Sequence, residues 1–462
     1  MNFKKMIITN KENLLEKSVI AVIGGGPAGL AVGFYAKKND LPFVIYETAH
    51  RVGGNANTIR WGDFLFDTGA HRFHDQDPSV TREIKQLMDG ELQRINAPSQ
   101  IFFKNRYIDF PLSPLNLFKN LGFMSILKGG LDLVRSRLFM KSIDKNFEQY
   151  AVFKYGPTIA QDFLLDYSEK LWGLQCHRLS HHVAGKRIHG LDLKTFVLES
   201  FGRNKAKTEH LDGAFYYPTK GGIDRIASKL KDFCGDDNVK TGLEITKVFH
   251  DDSSIRAIEL NHDGIIQTDQ VVNTISLSKF VRMLDPPPPQ EIIRLADNLR
   301  YRSMVLVALF LNLDSISPNA SIYFPDPSLP FTRIYEPKNR NPLMAPKGKT
   351  SLIAEIPCFL NDKMWTEEEN SLKDLVSDSL LQMGFFKRRD IIDTQIYRIR
   401  EAYPILEVDY MEKIDRIMRY LDSFTNLVMT GRNGKFRYIH IHDLVGEGRE
   451  IIHDFADQRQ TV

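Results

Sequence analysis

The stretch that decides the fold is Ala21-Val-Ile-Gly-Gly-Gly-Pro-Ala-Gly-Leu30. Its apolar start predicts a strand over residues 18–23, which runs into glycines spaced as Gly-x-Gly-x-x-Gly. The small residues that follow predict a helix from Pro27 to Lys38. A second apolar strand, Phe43-Val-Ile-Tyr-Glu47, then ends on an acid. This order predicts a strand–helix–strand unit with two parallel strands, which is the opening of an α/β sheet.

The three glycines have separate uses in such a unit. Gly24 allows a tight turn after the strand, Gly26 lets the backbone approach a pyrophosphate, and Gly29 lets the helix pack closely on the strand. The amino terminus of the helix offers backbone amides and the positive end of its dipole to phosphate groups. Glu47 lies 18 residues after Gly29, where an acid can accept hydrogen bonds from both hydroxyls of a ribose. An ordinary glycine-rich loop requires neither the flanking strands nor the acid, so the sequence predicts a dinucleotide-binding unit.

Composition and charge narrow the class of protein. The 462 residues exceed what one small core uses, so two or three lobes are expected. The 61 basic and 58 acidic residues nearly balance, which gives no electrostatic basis for binding nucleic acid. The three cysteines are far apart and form no Cys-x-x-Cys pair, which argues against disulfides and for a reducing compartment. We therefore expect a cytoplasmic protein.

The residues around and after Glu47 indicate which dinucleotide is bound. The run Glu47-x-x-x-Arg51-x-Gly53-Gly54-x-x-x-Thr58 resembles the FAD site of the flavoprotein superfamily that includes amine oxidases, protoporphyrinogen oxidases and UDP-galactopyranose mutases. The resemblance implies that the cofactor is FAD, with Arg51 and the paired glycines along its diphosphate. A guanidinium fork beside flexible backbone suits a bridging phosphate.

A second motif, Asp67-Thr-Gly-Ala-His71-Arg72-Phe73-His74, resembles the Gly-x-His-x-Phe-His run of the mutases and the Gly-x-His of protoporphyrinogen oxidases. In those families the run lies beside the isoalloxazine ring. The resemblance implies that His71 lines the flavin, where it either hydrogen-bonds near N5 or exchanges protons with substrate, since an imidazole titrates near neutrality. The alternative is that His71 and His74 only satisfy backbone groups in a packed loop.

A third segment resembles the part of the mutases that lines the substrate cleft. Asp166-Tyr-Ser-Glu-Lys170-Leu-Trp172-Gly173 is similar to their Tyr-Thr-x-Lys-x-Trp-Gly, which implies that Trp172 stacks on a flat substrate. A position in the core is the alternative for this tryptophan. Arg187 stands where the mutases have the first of two cleft arginines, but Leu191 replaces the second. Because two basic forks hold a diphosphate best, this departure counts against a galactose-mutase activity.

Two further motifs near the carboxyl terminus also resemble the mutases. Tyr403-Pro-Ile405 is similar to their Tyr-Pro-Ile, and Gly431-Arg432-Asn-Gly434-Lys-Phe-Arg-Tyr438 to their Gly-Arg-x-x-x-Tyr-x-Tyr. The resemblance implies that Gly431 and Arg432 contact the FAD diphosphate or ribityl chain. Tyr403 and Tyr438 are then expected to face the cleft.

A closing helix is predicted from about Asp443 to Asp457. The resemblance directs its amino terminus at the flavin N1/C2 carbonyl, where a positive dipole stabilises the anionic reduced flavin. The cofactor-binding residues implied in this way are Gly24, Gly26, Pro27, Ala28, Gly29, Glu47, Arg51, Gly53, Gly54, Asn55, His71, Gly431, Arg432 and Gly434. The implied catalytic residues are His71, Tyr403 and Tyr438, and the implied substrate-binding residues are Trp172, Arg187, Tyr403 and Tyr438.

A group of metal-capable residues has a second interpretation. His177 and His181 are four residues apart, a spacing that would place both on one face of a helix and could serve zinc. Without a closed set of four ligands, we interpret them as polar residues of loops and the edge of the cleft, and we predict no metal. The group consists of Cys176, His177, His181, His182 and His189.

The longest apolar segment, Leu115–Met140, is interrupted by charged residues and is too polar to span a bilayer. It predicts one or two amphipathic helices. A resting place on a membrane surface is one interpretation, but the polar face is not strongly basic. We therefore predict that this segment packs on the second lobe.

The expected fold is α/β. The resemblance implies a Rossmann-like FAD-binding lobe built from discontinuous segments, with an inserted α+β substrate lobe and a helical region. The expected FAD-binding lobe comprises residues 1–75, 211–285 and 401–462, with a mainly helical cap over 76–210 and a substrate lobe with a sheet over 286–400. Local patterns also predict the following elements: a helix over 75–95, a hairpin over 101–112, strands over 239–248 and 271–275, and a buried strand over 304–311.

Three functions are compatible with these motifs. The first is an FAD-dependent oxidoreductase, in which hydride leaves a substrate C–H bond for flavin N5. The second is a redox-neutral isomerase that resembles UDP-galactopyranose mutase and acts on a nucleotide sugar through reduced flavin. The third is a flavin-binding protein without catalysis, which a cleft with Tyr, Trp, Arg and His disfavours. The majority of the superfamily favours the first, so we predict an oxidoreductase with an unidentified small-molecule substrate.

Overall fold

The chain folds around two large sheets, one parallel and one mixed. The structure is a computed structural model, and it describes residues 19–110, 112, 116, 123–139, 146–188, 214–261 and 264–460. Among these residues the strands are β1 (Ile20–Ile23), β2 (Phe43–Glu47), β3 (Thr58–Trp61), β4 (Phe64–Asp67), β5 (Leu92–Ile95), β6 (Ser99–Phe103), β7 (Arg106–Phe110), β8 (Phe215–Pro218), β9 (Val239–Thr241), β10 (Ile245–His250), β11 (Ile255–Leu260), β12 (Gly264–Gln267), β13 (Gln270–Asn273), β14 (Leu284–Asp285), β15 (Tyr301–Leu311), β16 (Ser321–Tyr323), β17 (Arg333–Tyr335), β18 (Thr350–Cys358), β19 (Ile391–Pro404) and β20 (Leu427–Met429).

Some helices pack against the sheets, and others pack mainly on one another. The α-helices of the described chain are α1 (Pro27–Lys38), α2 (Pro78–Met88), α3 (Phe123–Phe139), α4 (Phe147–Tyr155), α5 (Pro157–Ala160), α6 (Asp166–Trp172), α7 (Asp224–Cys234), α8 (Leu277–Met283), α9 (Gln290–Asp297), α10 (Lys363–Thr366), α11 (Glu369–Gln382), α12 (Tyr410–Leu421) and α13 (Ile441–Gln460). A π-helical turn, Gln161–Leu165, joins α5 to α6, and short 3₁₀ turns lie at Cys176–Arg178, His181–Ile188, Pro337–Asn339, Pro342–Met344 and Arg388–Asp390.

The parallel sheet carries the predicted strand–helix–strand unit. Its order is β20-β13-β1-β2-β9, and every neighbouring pair is parallel. α1 follows β1 and packs between α7 and α13. Since the strands come from the beginning, middle and end of the chain, the predicted α/β fold with a discontinuous nucleotide-binding sheet is confirmed.

The mixed sheet has seven strands in the order β19-β15-β18-β17-β16-β6-β7. β18 is buried along its whole length, as is β15 apart from its first residue, because apolar clusters cover both faces. The predicted buried strand over 304–311 and hairpin over 101–112 are β15 and the β6–β7 pair. No helix in the described residues is long and apolar enough to cross a membrane.

Two sequence-based elements were wrong in extent. The helix predicted over 75–95 ends at Met88, since Asp89 and Gly90 take left-handed backbone (φ 46° and 75°), and residues 92–95 instead form β5, which pairs with β8. The strand predicted over 239–248 is split at Gly242 (φ 78°). Its first half, β9, joins the parallel sheet, and its second half, β10, joins a four-stranded sheet.

Candidate cofactor and substrate site

A groove lies at the carboxyl ends of β1, β13 and β20, where ligands bind in open parallel sheets. We call it the dinucleotide groove, and it has a cavity volume of about 210 Å³. Its lining comes from the loops after these strands and from the first turns of α1 and α13. The lining residues are Gly24, Gly26, Pro27, Ala28, Glu47, Gly54, Asn55, Ala56, His71, Thr274, Ile275, Ser276, Gly431, Arg432, Asn433, Ile441 and Leu444.

The floor of the groove is backbone. Gly26 precedes α1 and lies against Gly54, so that a side chain on Gly54 would come within 3.2 Å of the Gly26 Cα. Gly29 lies below, where a Cβ atom would come within 1.9 Å of the Gly24 carbonyl oxygen. The two glycines therefore have the two roles that the motif predicts. Gly26 lies at the surface of the groove, and Gly29 lies where the helix packs on the strand.

The Glu47 carboxylate is held at the edge of the groove by two backbone amides. Gly25 donates to its Oε2 at 2.7 Å, and Ala49 donates to its Oε1 at 2.8 Å. These contacts fix the carboxylate at the end of β2, beside the glycine loop, where an adenosine ribose is expected.

Replacing Glu47 by glutamine is expected to weaken FAD binding by roughly tenfold or more, since hydrogen bonds to a charged group contribute about 1.5–3 kcal/mol. Titration of the FAD-free protein by flavin fluorescence measures this change. The matched control is Asp63→Asn, an exposed acid outside the groove, which should leave the affinity unchanged. Equal affinities for the Glu47→Gln protein and the native protein would contradict a ribose at Glu47.

Four of the residues implied as cofactor-binding lie outside the lining of the groove. Arg51 donates from Nη1 to the Thr58 carbonyl at 3.0 Å, and Gly53 donates to the Gly25 carbonyl at 2.9 Å. Gly29 and Gly434 are packing positions, since a Cβ at Gly434 would lie 2.1 Å from the Thr430 carbonyl oxygen. These residues shape the groove from behind.

Two asparagines join the groove to the mixed sheet. Asn55 and Asn433 each donate from Nδ2 to the carbonyl oxygen of Glu401, at 3.0 and 2.9 Å. Glu401 lies in β19, has left-handed backbone (φ 48°), and sits where the pairing of β15 with β19 shifts register. The Oδ1 atom of Asn433 is buried and makes no hydrogen bond among the described residues, which leaves an acceptor for a bound group.

His71 lies at the junction of the groove with a second space. Burial, with the nearby Arg432 and Arg333 guanidinium groups, lowers the pKa of His71 to about 3, so the ring is neutral near pH 7. Its Nε2 is buried without a hydrogen-bond partner in the described chain. The hydrogen bond between the ring and the Asn55 backbone is therefore made by Nδ1. The tautomer assigned in this way leaves Nε2 as an acceptor.

The depressed pKa of His71 predicts a pH dependence. Between about pH 3 and pH 6.5 the unfolded chain binds a proton at this ring that the folded chain does not, so stability falls as the pH drops below 6.5. Between pH 7 and pH 5, the FAD-free native protein should lose about 1–2 kcal/mol more unfolding free energy than the His71→Asn variant. Urea unfolding of both proteins at the two pH values measures this difference. Equal losses of unfolding free energy in the native protein and the His71→Asn variant would show that His71 is exposed enough to titrate normally.

A buried ion pair holds the loop that carries His71. The Arg333 fork donates to Glu355 from Nε at 2.8 Å and from Nη2 at 2.7 Å, and the Ala70 amide donates to the same carboxylate at 3.1 Å. Glu355 and Arg333 are only 2% and 8% exposed, although they line small cavities of the cleft. Sequence reasoning missed both residues, yet a lone acid inside the apolar strand Thr350–Cys358 was a usable signal.

Three aromatic rings and one arginine form the wall opposite this pair. Trp172, Tyr403 and Tyr438 contact one another with ring centroids 5.7–6.1 Å apart. The Arg432 guanidinium lies over both tyrosines, 5.7 and 5.5 Å from their centroids, and donates to the Ile439 carbonyl. Burial raises the pKa of Tyr403 to about 12, so its phenol stays neutral and can donate a hydrogen bond. The structure thus brings together all four described side chains that the resemblance assigned to catalysis or substrate binding, His71 included.

The helix that carries Trp172 is fixed by two basic side chains, Arg302 and Lys170. Arg302 donates to the carbonyls of Leu171 and Lys170 at the end of α6, at 3.0 and 3.3 Å, and approaches through space left by Gly173. Lys170 donates from Nζ to two carbonyls of the loop after β16. Arg187 was assigned to the same wall, but its side chain lies outside the described residues, as do His189 and Leu191.

Two spaces lie beyond His71. The first, which we call the cationic pocket, has a cavity volume of about 30 Å³ and is lined by Ala70, His71, Arg72, His74, Arg333, Tyr403, Arg432, Tyr438, His440 and Ile441. The second, which we call the apolar cavity, has a cavity volume of about 360 Å³ and is lined by Ile101, Phe110, Phe163, Leu164, Tyr167, Ser168, Leu171, Trp172, Val183, Ala184, Tyr323, Pro325, Tyr438, Ile439, His440 and Asp443. Tyr438 and His440 line both spaces, and His71, Arg432 and Ile441 line both the cationic pocket and the dinucleotide groove.

Comparison with known proteins identifies the family of the chain. The sequence profile of the flavin containing amine oxidoreductases matches residues 27–351, which is more than half of the chain. The chain belongs to this family. Coproporphyrinogen III oxidase of Bacillus subtilis (strain 168) is 20% identical over 469 residues, covering 95% of this chain and 98% of that protein. Protoporphyrinogen oxidase 1 of Spinacia oleracea is 23% identical over 181 residues, which cover 37% of this chain and 32% of that protein.

Solved structures agree with the family at the level of fold. A reduced UDP-galactopyranose mutase superposes with a TM-score of 0.82 at 19% identity, over 94% of both chains. Cyclohexylamine oxidase from Brevibacterium oxydans IH-35A superposes with a TM-score of 0.67 at 12% identity, over 96% of this chain and 100% of that chain. At these identities the likeness establishes the shared fold alone.

The cofactor of this member of the family is FAD, and the groove fits it. A backbone floor at Gly26 and Gly54 suits the diphosphate, and the fixed Glu47 carboxylate suits the ribose. At the other end, His71 Nε2 and Asn433 Oδ1 are buried and have no hydrogen-bond partner in the described part of the chain, which suits the polar edge of a ring.

Further residues of the groove were missed from the sequence. Thr274 and Ser276 line it because they follow β13, the strand beside β1 in the sheet. Once that strand was predicted to rejoin the sheet, the position of these residues at its carboxyl end was the available signal. Asn433 lay inside a quoted motif but was not singled out.

Proposed function

We propose that the protein is an FAD-dependent oxidoreductase that takes hydride from a C–H bond of a small molecule with an apolar body. The observation that carries the proposal is that the three spaces adjoin, since the groove and the cationic pocket share His71 and Arg432 in their linings, and the pocket and the apolar cavity share Tyr438 and His440. A molecule seated in the apolar cavity could therefore present a carbon at the end of the groove. FAD, when bound, supplies the two-electron acceptor.

The residues of the chain would exclude water, orient the substrate and stabilise charge. The apolar walls exclude water, and Tyr403 and Tyr438 orient the substrate from one side. His71 holds a neutral ring whose Nε2 accepts a hydrogen bond at the junction of groove and pocket. The first turn of α13 lines the groove through Ile441 and Leu444, so the positive end of a 20-residue helix favours negative charge there.

The test begins with anaerobic protein loaded with FAD and a panel of apolar molecules that carry an oxidisable C–H bond. One of them should bleach the visible flavin absorbance without added reductant and should lose two hydrogens. A preparation that binds no FAD would overturn the proposal, as would a flavin that stays oxidised with every apolar molecule.

A redox-neutral isomerase acting on a nucleotide sugar is the second candidate. It is favoured by the placement of Arg432 over Tyr403 and Tyr438, in motifs that resemble those of the mutases. The apolar walls around Trp172 suit a nucleotide sugar less well. Turnover of UDP-galactose only after reduction by dithionite, without net oxidation, would select this candidate over the first.

A further inference from the structure

The strand β19 carries a bulge where it meets the dinucleotide groove. Between its paired residues Ile399 and Tyr403, three residues of β19 lie opposite one residue of β15. The middle one, Glu401, has left-handed backbone (φ 48°), which is unfavourable for a residue with a side chain and persists only where the surrounding structure holds it. Because a bulge redirects the side chains that follow it, the backbone at Glu401 sets the direction of Tyr403.

Two asparagines that line the dinucleotide groove hold this bulge. Asn55 and Asn433 both donate from Nδ2 to the Glu401 carbonyl oxygen, at 3.0 and 2.9 Å. Arg432, next to Asn433 in the chain, also lies over the Tyr403 ring, 5.7 Å from its centroid. The loop that carries Asn433 therefore contacts β19 at two places, the bulge itself and the tyrosine that follows it.

The side-chain amide of Asn433 has a second end, which the described chain leaves without a partner. A carbonyl oxygen can only accept, so the atom that faces Glu401 is Nδ2 and the orientation of the amide is fixed. The Oδ1 atom is buried and makes no hydrogen bond among the described residues. A buried acceptor of this kind requires a donor. Asn433 lines the groove that fits FAD, and the oxidised isoalloxazine ring carries one N–H, at N3, which suits Oδ1.

We propose that Asn433 is a positioning residue that links the cofactor to the substrate side of the cleft. One end of its amide accepts a hydrogen bond from the N3–H of the bound flavin, and the other end holds the Glu401 bulge and, through it, Tyr403. The ring of Tyr403 is thereby placed relative to the flavin. This inference rests on the proposed function for the role of Tyr403 toward the substrate, whereas the link itself needs only bound FAD.

The cofactor end of the link is tested with FAD and 3-methyl-FAD, in which a methyl group replaces the hydrogen on N3. The native protein should bind FAD at least about threefold more tightly than 3-methyl-FAD, and Asn433→Ala should bind the two about equally. Asn433→Ser takes its place should the alanine variant fail to fold. The matched control is Asn238→Ala, since Asn238 also donates from Nδ2 to a backbone carbonyl, that of Cys234 at 3.0 Å, but lies outside the lining of the groove. Equal binding of the two flavins by the native protein, or a preference that survives in Asn433→Ala, overturns the contact.

The protein end of the link is tested by ¹⁹F NMR of FAD-loaded protein that carries 3-fluorotyrosine, in which the resonance absent from Tyr403→Phe belongs to Tyr403. This resonance should shift or broaden in Asn433→Ala and stay unchanged in Asn238→Ala. It should return toward its native position in Asn433→Ala/Glu401→Gly, since glycine adopts a φ of 48° without help from a neighbour. A mere loss of packing around Asn433 would not be repaired by a glycine in another strand. A Tyr403 resonance that Asn433→Ala leaves unchanged, or that the glycine does not restore, overturns the link. These measurements need no turnover, so a failure of the proposed oxidation would be seen separately.

Discussion

Replacing Glu355 by glutamine is expected to lower the free energy of unfolding by about 3 kcal/mol or more, because it leaves the Arg333 guanidinium buried without a countercharge. Both side chains are nearly inaccessible, and the carboxylate also accepts from the Ala70 amide. The same change should therefore loosen the loop that carries His71. Urea unfolding of the FAD-free protein measures the first effect, and broadening of the bound flavin spectrum reports the second.

Two further variants test whether the loss of stability comes from breaking the buried ion pair or would follow from the removal of any charged side chain. The double variant Arg333→Met/Glu355→Gln removes the unpaired cation and should recover much of the lost stability. Asp378→Asn breaks an ion pair with Arg388 whose side chains are 48% and 69% exposed, and it should cost less than about 1 kcal/mol. If Glu355→Gln costs no more than Asp378→Asn, the pair is solvated and our account of the loop is wrong.

The cofactor groove could be predicted because its determinants are local. A strand, a turn and a helix terminus within 30 residues of one another fix where Gly26 and Glu47 lie, and the rest follows from the parallel sheet. β13 could be placed only through the family resemblance. The strand itself has the apolar pattern of any buried strand.

The substrate side could be predicted only in part. The resemblance selected Trp172, Tyr403 and Tyr438, and the structure brings them together. Arg333 and Glu355 lie on neighbouring strands of the mixed sheet, and Glu355 meets Ala70 across 285 residues of sequence. No local pattern encodes such a contact. The volume and charge of a cavity depend on how separate elements pack, so they too became accessible only from the structure.

Replacing Gly26 by alanine is expected to leave the fold intact and to remove most of the affinity for FAD. Gly26 has φ −74°, which alanine adopts freely, and the nearest protein atom to an added Cβ would be the Gly54 Cα at 3.8 Å. The methyl group would therefore project only into the space that a pyrophosphate needs. Overpacking of about 1–3 kcal/mol corresponds to a loss of roughly 5–150-fold in affinity.

The neighbouring glycine should behave in the opposite way, and this contrast is the decisive comparison. In Gly29→Ala the added Cβ would meet the Gly24 carbonyl oxygen at 1.9 Å, so the FAD-free protein itself should be destabilised. Gly130→Ala, in α3 with no described atom within 4 Å of the new Cβ, serves as the control: it should leave the affinity for FAD unchanged and raise stability by up to about 1 kcal/mol, because alanine favours a helix more than glycine does. Thermal unfolding of the FAD-free proteins, followed by titration with FAD, separates stability from affinity. A Gly26→Ala protein that binds FAD as tightly as the native protein would mean that the diphosphate does not cross the backbone at Gly26, and the placement of the cofactor in this groove would have to be abandoned.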